Sequence, residues 1–326
     1  MTRRGHTLLD AAARCYTTAS MISDSVARTL RYVKVSDPAL DLAYFPDILI
    51  VGPQRTGTTW LHAHLRYHPQ IMLSEPKELF FFSSLKLPGY GRFGSNELAD
   101  YLLFFHEPLW RVLLRHGIGL WRYRELYHPT IRGEATASYA ALERDVIHDI
   151  VTLKPDVKVI LMIRNPIERA WSHAKKDLVR NRHQQFDAVP ASEFERFFAD
   201  PYQRQCARYG QNIDNWCAEL RPDHLLVALF DDIDSRPEAL LLAVMSFLGV
   251  CSDRRYISAA VRERVNPTGT SKIPEQHRRF LEELLHDDIG DLRERFGLSW
   301  SSPESGARLE RSTTGRSQRF RFALEA

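Results

Sequence analysis

One stretch, residues 47–60, most constrains the fold of this chain. It begins with a short apolar run and continues through two glycines and several hydroxyl side chains, reading Asp47-Ile48-Leu49-Ile50-Val51-Gly52-Pro53-Gln54-Arg55-Thr56-Gly57-Thr58-Thr59-Trp60. The next residues, 61–67, have the pattern of a helix. A buried strand, a loop and a helix in this order are typical of a phosphate-binding loop, because unpaired N–H groups at a helix N-terminus attract oxyanions. The stretch therefore predicts an anion site.

Further apolar runs predict a sheet with helices between its strands. Strands are predicted at residues 71–73, 130–132, 157–163 and 225–230, and helices at 142–153, 167–179, 209–220 and 237–248. Gly249 closes the predicted helix over 237–248 as its C-cap, and a long helical pattern over 275–296 ends at Gly297. Alternating strands and helices without an internal repeat predict an α/β fold, a single domain with a mainly parallel central sheet flanked by helices.

The chain divides into three regions by composition. Residues 1–44 have the pattern of an amphipathic helical arm, which packs on the domain as a helix or is a partly ordered arm, with a short peripheral membrane contact as a further alternative. Residues 45–300 form the α/β domain. Residues 301–326 are rich in Ser, Arg and Gly and are expected to be a disordered tail, whose arginines leave a polyanion contact open.

Charge and cysteine content exclude several classes of protein. The net charge is +3, without the concentrated basic stripe of a nucleic-acid-binding protein. No apolar run approaches the roughly 20 residues of a membrane span, and the N-terminus lacks a secretory apolar region. Cys15, Cys206, Cys217 and Cys251 form no C-x-x-C pair, which makes a zinc knuckle unlikely, although Cys206 and Cys217 could pair. We therefore expect a soluble cytoplasmic protein with reduced cysteines, no transmembrane segment and no nucleic-acid partner.

A second candidate binding motif follows the strongest predicted strand, residues 157–163. This strand leads into Arg164, and Asn165 and Pro166 are a good N-cap and first helical residue. Arg164 is thus predicted at the carboxyl end of a strand, where open α/β sheets bind ligands. Ser172 lies about two turns into the following helix. The structural alternatives are an ion pair for Arg164 and a solvent-facing position for Ser172.

Glu78 is a candidate general base. It follows Lys77 and precedes the aromatic run Phe80-Phe81-Phe82. A carboxylate held against apolar walls can accept a proton near neutral pH, because desolvation disfavours its charged form. An exposed loop glutamate beside a hydrophobic plug is the alternative. Residues 83–130 read as an insertion with one or two helices, which either forms an acceptor site or simply packs on the domain.

A nucleotide-dependent kinase acting on a small molecule is one functional alternative. Gly52 and Gly57 keep the glycine spacing of a Walker A loop, and Thr59 matches its last position. Thr58, however, occupies the place of the lysine that a kinase needs on the transferred phosphate. Asp231, after the predicted strand at 225–230, does imitate a Walker B aspartate.

The loop resembles a more specific family. Residues 53–60 are similar to the 5′-phosphosulfate loop of sulfotransferases that use 3′-phosphoadenosine 5′-phosphosulfate, and the heparan sulfate N-sulfotransferases have the closely similar G-P-Q-K-T-G-T-T. Residues 164–172 resemble that family's 3′-phosphate site, in which an Arg ends a strand and a Ser follows eight residues later. The two motifs occur in the family's order and at a familiar separation. The resemblance extends more weakly to Gly249.

The resemblance implies a role for each matching residue. Arg55 stands where the family has a lysine that contacts the 5′-phosphosulfate and takes part in catalysis, and its planar fork is not equivalent to an ammonium. The other expected donor-binding residues are Thr56, Gly57, Thr58 and Thr59 around the 5′-phosphate and sulfonate, Trp60 on the adenine, Arg164 and Ser172 at the 3′-phosphate, and Lys272 closing over the nucleotide. No metal is expected.

The resemblance also implies a catalytic role for Glu78. Glycosaminoglycan sulfotransferases carry a catalytic Glu followed, after two residues, by two aromatic residues, and residues 78–82 fit this spacing. The implied acceptor is the hydroxyl or amine of a carbohydrate or lipid-linked molecule, with a small phenol or alcohol and a non-enzymatic scaffold left open. One departure is Ala135, which stands where the family often has a lysine. Lys77 is the candidate to supply that charge. The terminal G-x-x-G-x-W motif of the cytosolic branch is also absent.

Overall fold

A parallel sheet forms the centre of the protein, in a computed structural model that describes residues 22–37, 39–86, 92–263, 272–300, 309–310 and 319–324. Within these residues its strand order is β2-β3-β1-β4-β5-β8. The strands are β1 (Ile48–Val51), β2 (Ile71–Leu73), β3 (Ile131–Ala135), β4 (Lys158–Ile163), β5 (Leu225–Leu229) and β8 (Arg321–Phe322). A separate antiparallel pair joins β6 (Ser299–Trp300) and β7 (Leu309–Glu310). The predicted α/β fold with a mainly parallel sheet is confirmed.

Helices cover both faces of this sheet. The α-helices are Asp24–Ala27, Thr58–Leu65, Phe81–Ser84, Leu98–Leu102, Leu109–Tyr123, Arg144–Leu153, Pro166–Ala174, Ala191–Ala199, Pro201–Ala207, Tyr209–Glu219, Phe230–Ser235, Pro237–Leu248, Glu275–Leu284 and His286–Phe296. A π-helical segment, Lys175–Arg180, continues one of them, and 3₁₀ turns lie at Leu42–Tyr44, Leu103–Phe105, Ala137–Ala141, Phe186–Ala188, Arg254–Tyr256 and Ala259–Arg262. Most predicted elements are confirmed to within a few residues.

The core is divided between the two faces by the two-residue period of the strands. In β1, Ile48 and Ile50 pack into one cluster, whereas Leu49 and Val51 pack into the other. All four residues are buried, because helices cover both faces. The carboxyl ends of all six strands therefore form one open edge between two helical layers, and the strand order reverses around β1 at that edge.

The arm prediction is wrong for the part of the arm that the structure describes. Within residues 22–37 and 39–44, the helical elements are a four-residue helix and a 3₁₀ turn. The backbone N–H groups of Arg31, Tyr32 and Val33 donate to the buried carboxylate of Asp149 over 2.8, 2.8 and 3.0 Å. These bonds favour an extended chain that packs on the domain over a helix that would use the same donors internally. Residues 1–21 lie outside the described residues.

Two predictions near the C-terminus are corrected. The predicted helix over 275–296 is broken at Leu285, whose backbone is not helical (φ −106°, ψ 11°). The break lets Leu281 pack into a peripheral cluster while Leu292 packs into the central core. The prediction of a disordered tail is wrong for residues 319–324. There β8 pairs with β5, and Phe320 is buried beside it. Cys206, Cys217 and Cys251 are free thiols.

Candidate active site

The loop after β1 is held in a conformation that glycine makes possible. Gly57 has a left-handed backbone (φ 98°), and a Cβ there would lie 2.4 Å from Cδ1 of Ile233. The Thr56 hydroxyl is buried and donates to the carbonyl of Pro53 over 2.8 Å, so this side chain braces the loop. Glycine and a buried hydroxyl together fix the path of the chain into the next helix.

Helix Thr58–Leu65 begins directly after this loop, with Gly57 as its N-cap. The Thr58 side chain is buried and Thr59 is half-buried in the first turn. The first backbone N–H groups of a helix have no partner within the helix and carry partial positive charge. The predicted anion site is therefore present as a local structure: a braced loop that leads into a helix N-terminus.

The two predicted motifs meet at the open edge of the sheet. β1 and β4 are neighbours, with Val51 paired to Leu161, so the chain leaves both strands side by side. The guanidinium Nε of Arg55 donates to the Ser172 hydroxyl over 3.0 Å. Nη1 of Arg164 donates to the carbonyl of Arg55 over 3.4 Å. Residues from two distant parts of the sequence thus form one continuous surface.

Arg164 has both structural contacts and spare donor capacity. Its Nη2 lies 3.1 Å from the carboxylate of Glu168, so the ion pair considered as the structural alternative is present. Its guanidinium also stacks over the Phe230 ring at 4.2 Å. Its Nε, however, is buried without a hydrogen-bond partner. A buried donor left unpaired costs free energy, and an anionic ligand would satisfy it.

Ser172 is buried rather than solvent-facing, and its helix and the π-helical segment that continues it carry two cations that sequence reasoning missed, Lys175 and Arg180. Burial lowers the pKa of Arg55, and the charges of Arg164 and Arg180 lower it further. Burial, followed by Arg164 and Arg55, likewise lowers the pKa of Lys175. Positive charges that disfavour one another are the signature of a site for an anion. One signal was available: Lys175 lies three residues after Ser172, on the same helix face.

Trp60 is not exposed at this surface, and the role of Lys272 stays a prediction. The Trp60 ring is 3% exposed, and its Nε1 donates to the carbonyl of Val261 over 3.1 Å. The ring is therefore packed into the core and would have to be uncovered to stack on a base. Lys272 is exposed and follows residues 264–271, which lie outside the described residues. Its closure over a nucleotide stays a prediction.

Glu78 lies at the same edge, in the loop after β2. Its backbone is left-handed (φ 68°), and its N–H donates to the carbonyl of Ala135 at the end of β3 over 3.1 Å. Its carboxylate is 3.2 Å from Nζ of Lys77. Glu78 thus faces an ammonium group rather than bare apolar walls. Burial lowers the pKa of Lys77, while the charge of Glu78 opposes that shift.

Glu134 is a buried acid to which sequence reasoning assigned no role. It accepts hydrogen bonds from the hydroxyls of Tyr101 and, over 2.6 Å, Thr136. Burial raises the pKa of Glu134 to about 7, although these donors favour its charged form. The Thr136 oxygen in turn accepts the N–H of Leu79 over 3.0 Å. Glu134 therefore supports the loop that carries Glu78 indirectly, through Thr136 and Leu79.

A family model for the sulfotransferase domain matches residues 45–268, more than half of the chain. This chain belongs to the sulfotransferase family. The matched region is a sulfotransferase domain.

Two curated relatives illustrate the similarity. The sulfotransferase is 26% identical over 225 residues to human bifunctional heparan sulfate N-deacetylase/N-sulfotransferase 2, covering 65% of this chain and 23% of the relative. It is 28% identical over 131 residues to membrane-associated sulfotransferase kil1 of Dictyostelium discoideum, covering 40% of this chain and 23% of the relative. The chain thus spans less than a quarter of the length of either relative.

A solved structure shares the fold. The sulfotransferase from Alicyclobacillus acidocaldarius superposes with a TM-score of 0.51 at 21% identity, covering 76% of this chain and 94% of that one. This likeness places the parallel sheet and its flanking helices in a known architecture.

Proposed function

We propose that this sulfotransferase moves a sulfonate group from 3′-phosphoadenosine 5′-phosphosulfate to a hydroxyl or amine of a carbohydrate or lipid-linked acceptor. The observation that carries the donor assignment is the contact between Arg55 and Ser172. It joins the phosphate loop to the helix after β4, so two anion-binding elements lie side by side. A donor with a phosphosulfate at one position of its ribose and a phosphate at another matches such a double site.

The residues present fit this donor chemically. The helix N-terminus at Thr58 and Thr59, together with Arg55, would hold the phosphosulfate. Arg164, with its unpaired buried Nε, would hold the 3′-phosphate with Ser172. Bound anions would also relieve the mutual repulsion of these cations.

The reaction that follows is an in-line displacement at sulfur. The acceptor oxygen or nitrogen forms a bond to sulfur while the bond from sulfur to the 5′-phosphate oxygen breaks, and the acceptor proton passes to the carboxylate of Glu78. Arg55 and the loop N–H groups stabilise charge on the departing phosphate. Lys77, 3.2 Å from Glu78, supplies a positive charge near the place where Ala135 replaces the family's lysine.

The acceptor class is supported by the spacing of Glu78 and its aromatic neighbours. The human relative's name refers to N-sulfation of heparan sulfate, which is consistent with a carbohydrate amine or hydroxyl. A small phenol or alcohol is the alternative within the same chemistry.

Calorimetric titration with adenosine 3′,5′-bisphosphate and with ATP plus Mg²⁺ tests the donor assignment. We expect the bisphosphate to bind more tightly, and a preference for ATP would favour the kinase alternative instead. Transfer from the sulfonate donor to a panel of sugars, glycolipids and phenols then tests the enzymatic step. Absence of transfer to every acceptor would support a non-enzymatic scaffold.

Substitution of Glu78 by Gln tests its role as base. We expect turnover to fall by about 10²–10⁴-fold with bisphosphate affinity unchanged, because only the proton acceptor is lost. Glu143→Gln, which removes a surface carboxylate paired with Lys86, is the matched control. Wild-type turnover in Glu78→Gln would show that this residue is not the base.

A further inference from the structure

Helix Leu109–Tyr123 turns an apolar face towards solvent. Seven of its eight exposed positions fall within an arc of about 140°, at roughly 100° per residue, and the eighth, Arg122, lies outside that arc. The seven within the arc are Leu109, Trp110, Leu113, Leu114, Gly117, Leu120 and Trp121. The six large side chains among them are between 49% and 83% exposed. A surface helix normally presents polar side chains to water, so this outer face requires an apolar environment that the described part of the domain does not supply.

The inner side of the same helix is firmly attached to the domain. Arg111 forms an ion pair with Glu75 at 2.6 Å, and the buried Tyr123 ring packs edge-on against Tyr256 at a centroid distance of 5.2 Å. The orientation of the helix is therefore fixed by contacts at both ends. The apolar residues face outward because charged and aromatic residues on the other side hold the helix in place.

Arginines on the inner side of the helix and at its C-terminal end leave excess positive charge beside the outer face. Arg66 and Arg111 share the single carboxylate of Glu75. Arg122 and Arg124 are exposed at the end of the helix, and neither forms an ion pair with any carboxylate in the described part of the chain. An apolar face with arginines beside it matches a partner that has an apolar interior and an anionic outer layer.

We propose that the outer face of helix Leu109–Tyr123 lies in the interfacial region of an anionic lipid bilayer and docks the sulfotransferase there. Trp110 and Trp121 are about 16 Å apart along the helix axis and would lie at headgroup level, where amphipathic rings are stable. The leucines between them would enter the acyl boundary by about 5–10 Å. Arg122 and Arg124, which form no ion pair within the described residues, disfavour contact with a like-charged second copy of this chain.

No helix in the described ranges has the length and apolarity needed to cross a bilayer. The proposed contact is one in which a helix lies along the surface.

The docking surface begins next to the candidate active site. Glu75, the partner of Arg111, lies two residues beyond the end of β2 and three residues before Glu78. An acceptor presented at the lipid–water boundary would therefore approach from the side that carries Glu78. This consequence rests on the proposed function, whereas bilayer docking does not.

Sedimentation of the full chain with sucrose-loaded vesicles tests docking without any measurement of turnover. The vesicles contain phosphatidylcholine alone or equal parts of phosphatidylcholine and phosphatidylglycerol. We expect binding to the mixed vesicles, which weakens at high salt, and a blue shift of tryptophan emission. The double variant Trp110→Ser/Trp121→Ser should bind the mixed vesicles with about tenfold lower affinity and keep the circular dichroism spectrum of the wild type. Arg122→Gln/Arg124→Gln should reduce the preference for phosphatidylglycerol.

Two control variants separate this face from apolar side chains elsewhere in the chain. Phe186→Ser changes an exposed aromatic side chain far from this helix in the sequence and should bind vesicles like the wild type. Leu8→Asp/Leu9→Asp alters the N-terminal arm and should also retain binding; loss of binding there would assign the contact to the arm and overturn the proposal. Equal binding by the wild type and the tryptophan double variant would overturn it too. Failure of the wild type to bind either kind of vesicle would also overturn the proposal. A dimer that dissociates in the tryptophan double variant would then assign this face to contact with a second copy of the chain.

Discussion

Replacement of Glu134 by Gln should change how the stability of the protein depends on pH. Glu134 is fully buried and surrounded by the hydroxyls of Tyr101, Thr136 and Tyr139. Gln has nearly the same shape and can still exchange hydrogen bonds with these hydroxyls, but it cannot lose a proton. The substitution therefore removes a titrating group while leaving the packing in place.

The magnitude follows from the pKa of Glu134, which burial raises from an ordinary value of 4.5 to about 7. Below pH 4.5 the carboxyl is protonated in both the folded and the unfolded chain, so its favourable contribution is fully present. As the pH rises towards 7 the unfolded chain releases this proton first, and the free energy of unfolding falls. Each tenfold difference in proton affinity corresponds to about 1.4 kcal/mol, which gives a loss of about 3 kcal/mol.

The assay is urea unfolding of the wild type and Glu134→Gln at intervals between about pH 4.5 and pH 8. Other groups titrate equally in both proteins and cancel in the difference between their unfolding free energies. That difference should move by about 3 kcal/mol in favour of Glu134→Gln across the range. Glu282→Gln, at an exposed helical position, is the control. A difference that stays constant with pH would refute the assignment of Glu134 as a buried acid with a raised pKa.

Two further substitutions test contacts at opposite ends of the domain. Arg164→Ala should weaken binding of adenosine 3′,5′-bisphosphate by about 1.5–3 kcal/mol in a calorimetric titration, because it removes a charge-assisted contact. An unchanged affinity would remove Arg164 from the site. Asp149→Ala should lower the free energy of unfolding by roughly 2–3 kcal/mol, since the N–H groups of Arg31, Tyr32 and Val33 lose their buried acceptor. An unchanged urea midpoint would contradict that account of how residues 22–44 are held.

Local signals in the sequence predicted most of the fold. Gly249 was expected as a helix C-cap and Gly297 as the end of a helix, and both have the left-handed backbone that such caps need (φ 79° and 64°). Asn165 was expected as an N-cap, and its side chain accepts the N–H of Ile167 over 3.0 Å. These features depend on a few neighbouring residues, so a short stretch of sequence contains all the necessary information.

Features that depend on distant contacts were missed. Helical periodicity continues through Leu285, and only the packing of Leu281 and Leu292 into different clusters explains the break there. Composition marked the C-terminus as disordered, yet β8 forms because β5 offers it an open edge and Phe320 finds a buried position. Neither partner can be read from the segment itself.

The candidate site likewise combines residues that the sequence pointed to and contacts that only the fold could reveal. The position of Arg164 after a strand, and for Arg55 and Ser172 the resemblance to the motifs of the family, pointed to these three residues. That Arg55 contacts Ser172 across 117 positions in the sequence required the pairing of β1 with β4. The supporting role of Glu134 had no motif of its own, since it arises from burial and from the hydroxyls around it.

The backbone supplies an independent reason to place the chemistry at this edge. Arg55 and Glu78 both have left-handed backbones (φ 78° and 68°), which are uncommon for residues other than glycine. Each such position costs about 1–3 kcal/mol and persists only where surrounding contacts hold it. Those contacts are present: Arg164 binds the carbonyl of Arg55, and Ala135 accepts the N–H of Glu78. Six residues other than glycine have such a backbone in the described part of the chain, and Arg55 and Glu78 are the two among them that the sequence had already singled out as catalytic. Strain of this kind collects at functional sites.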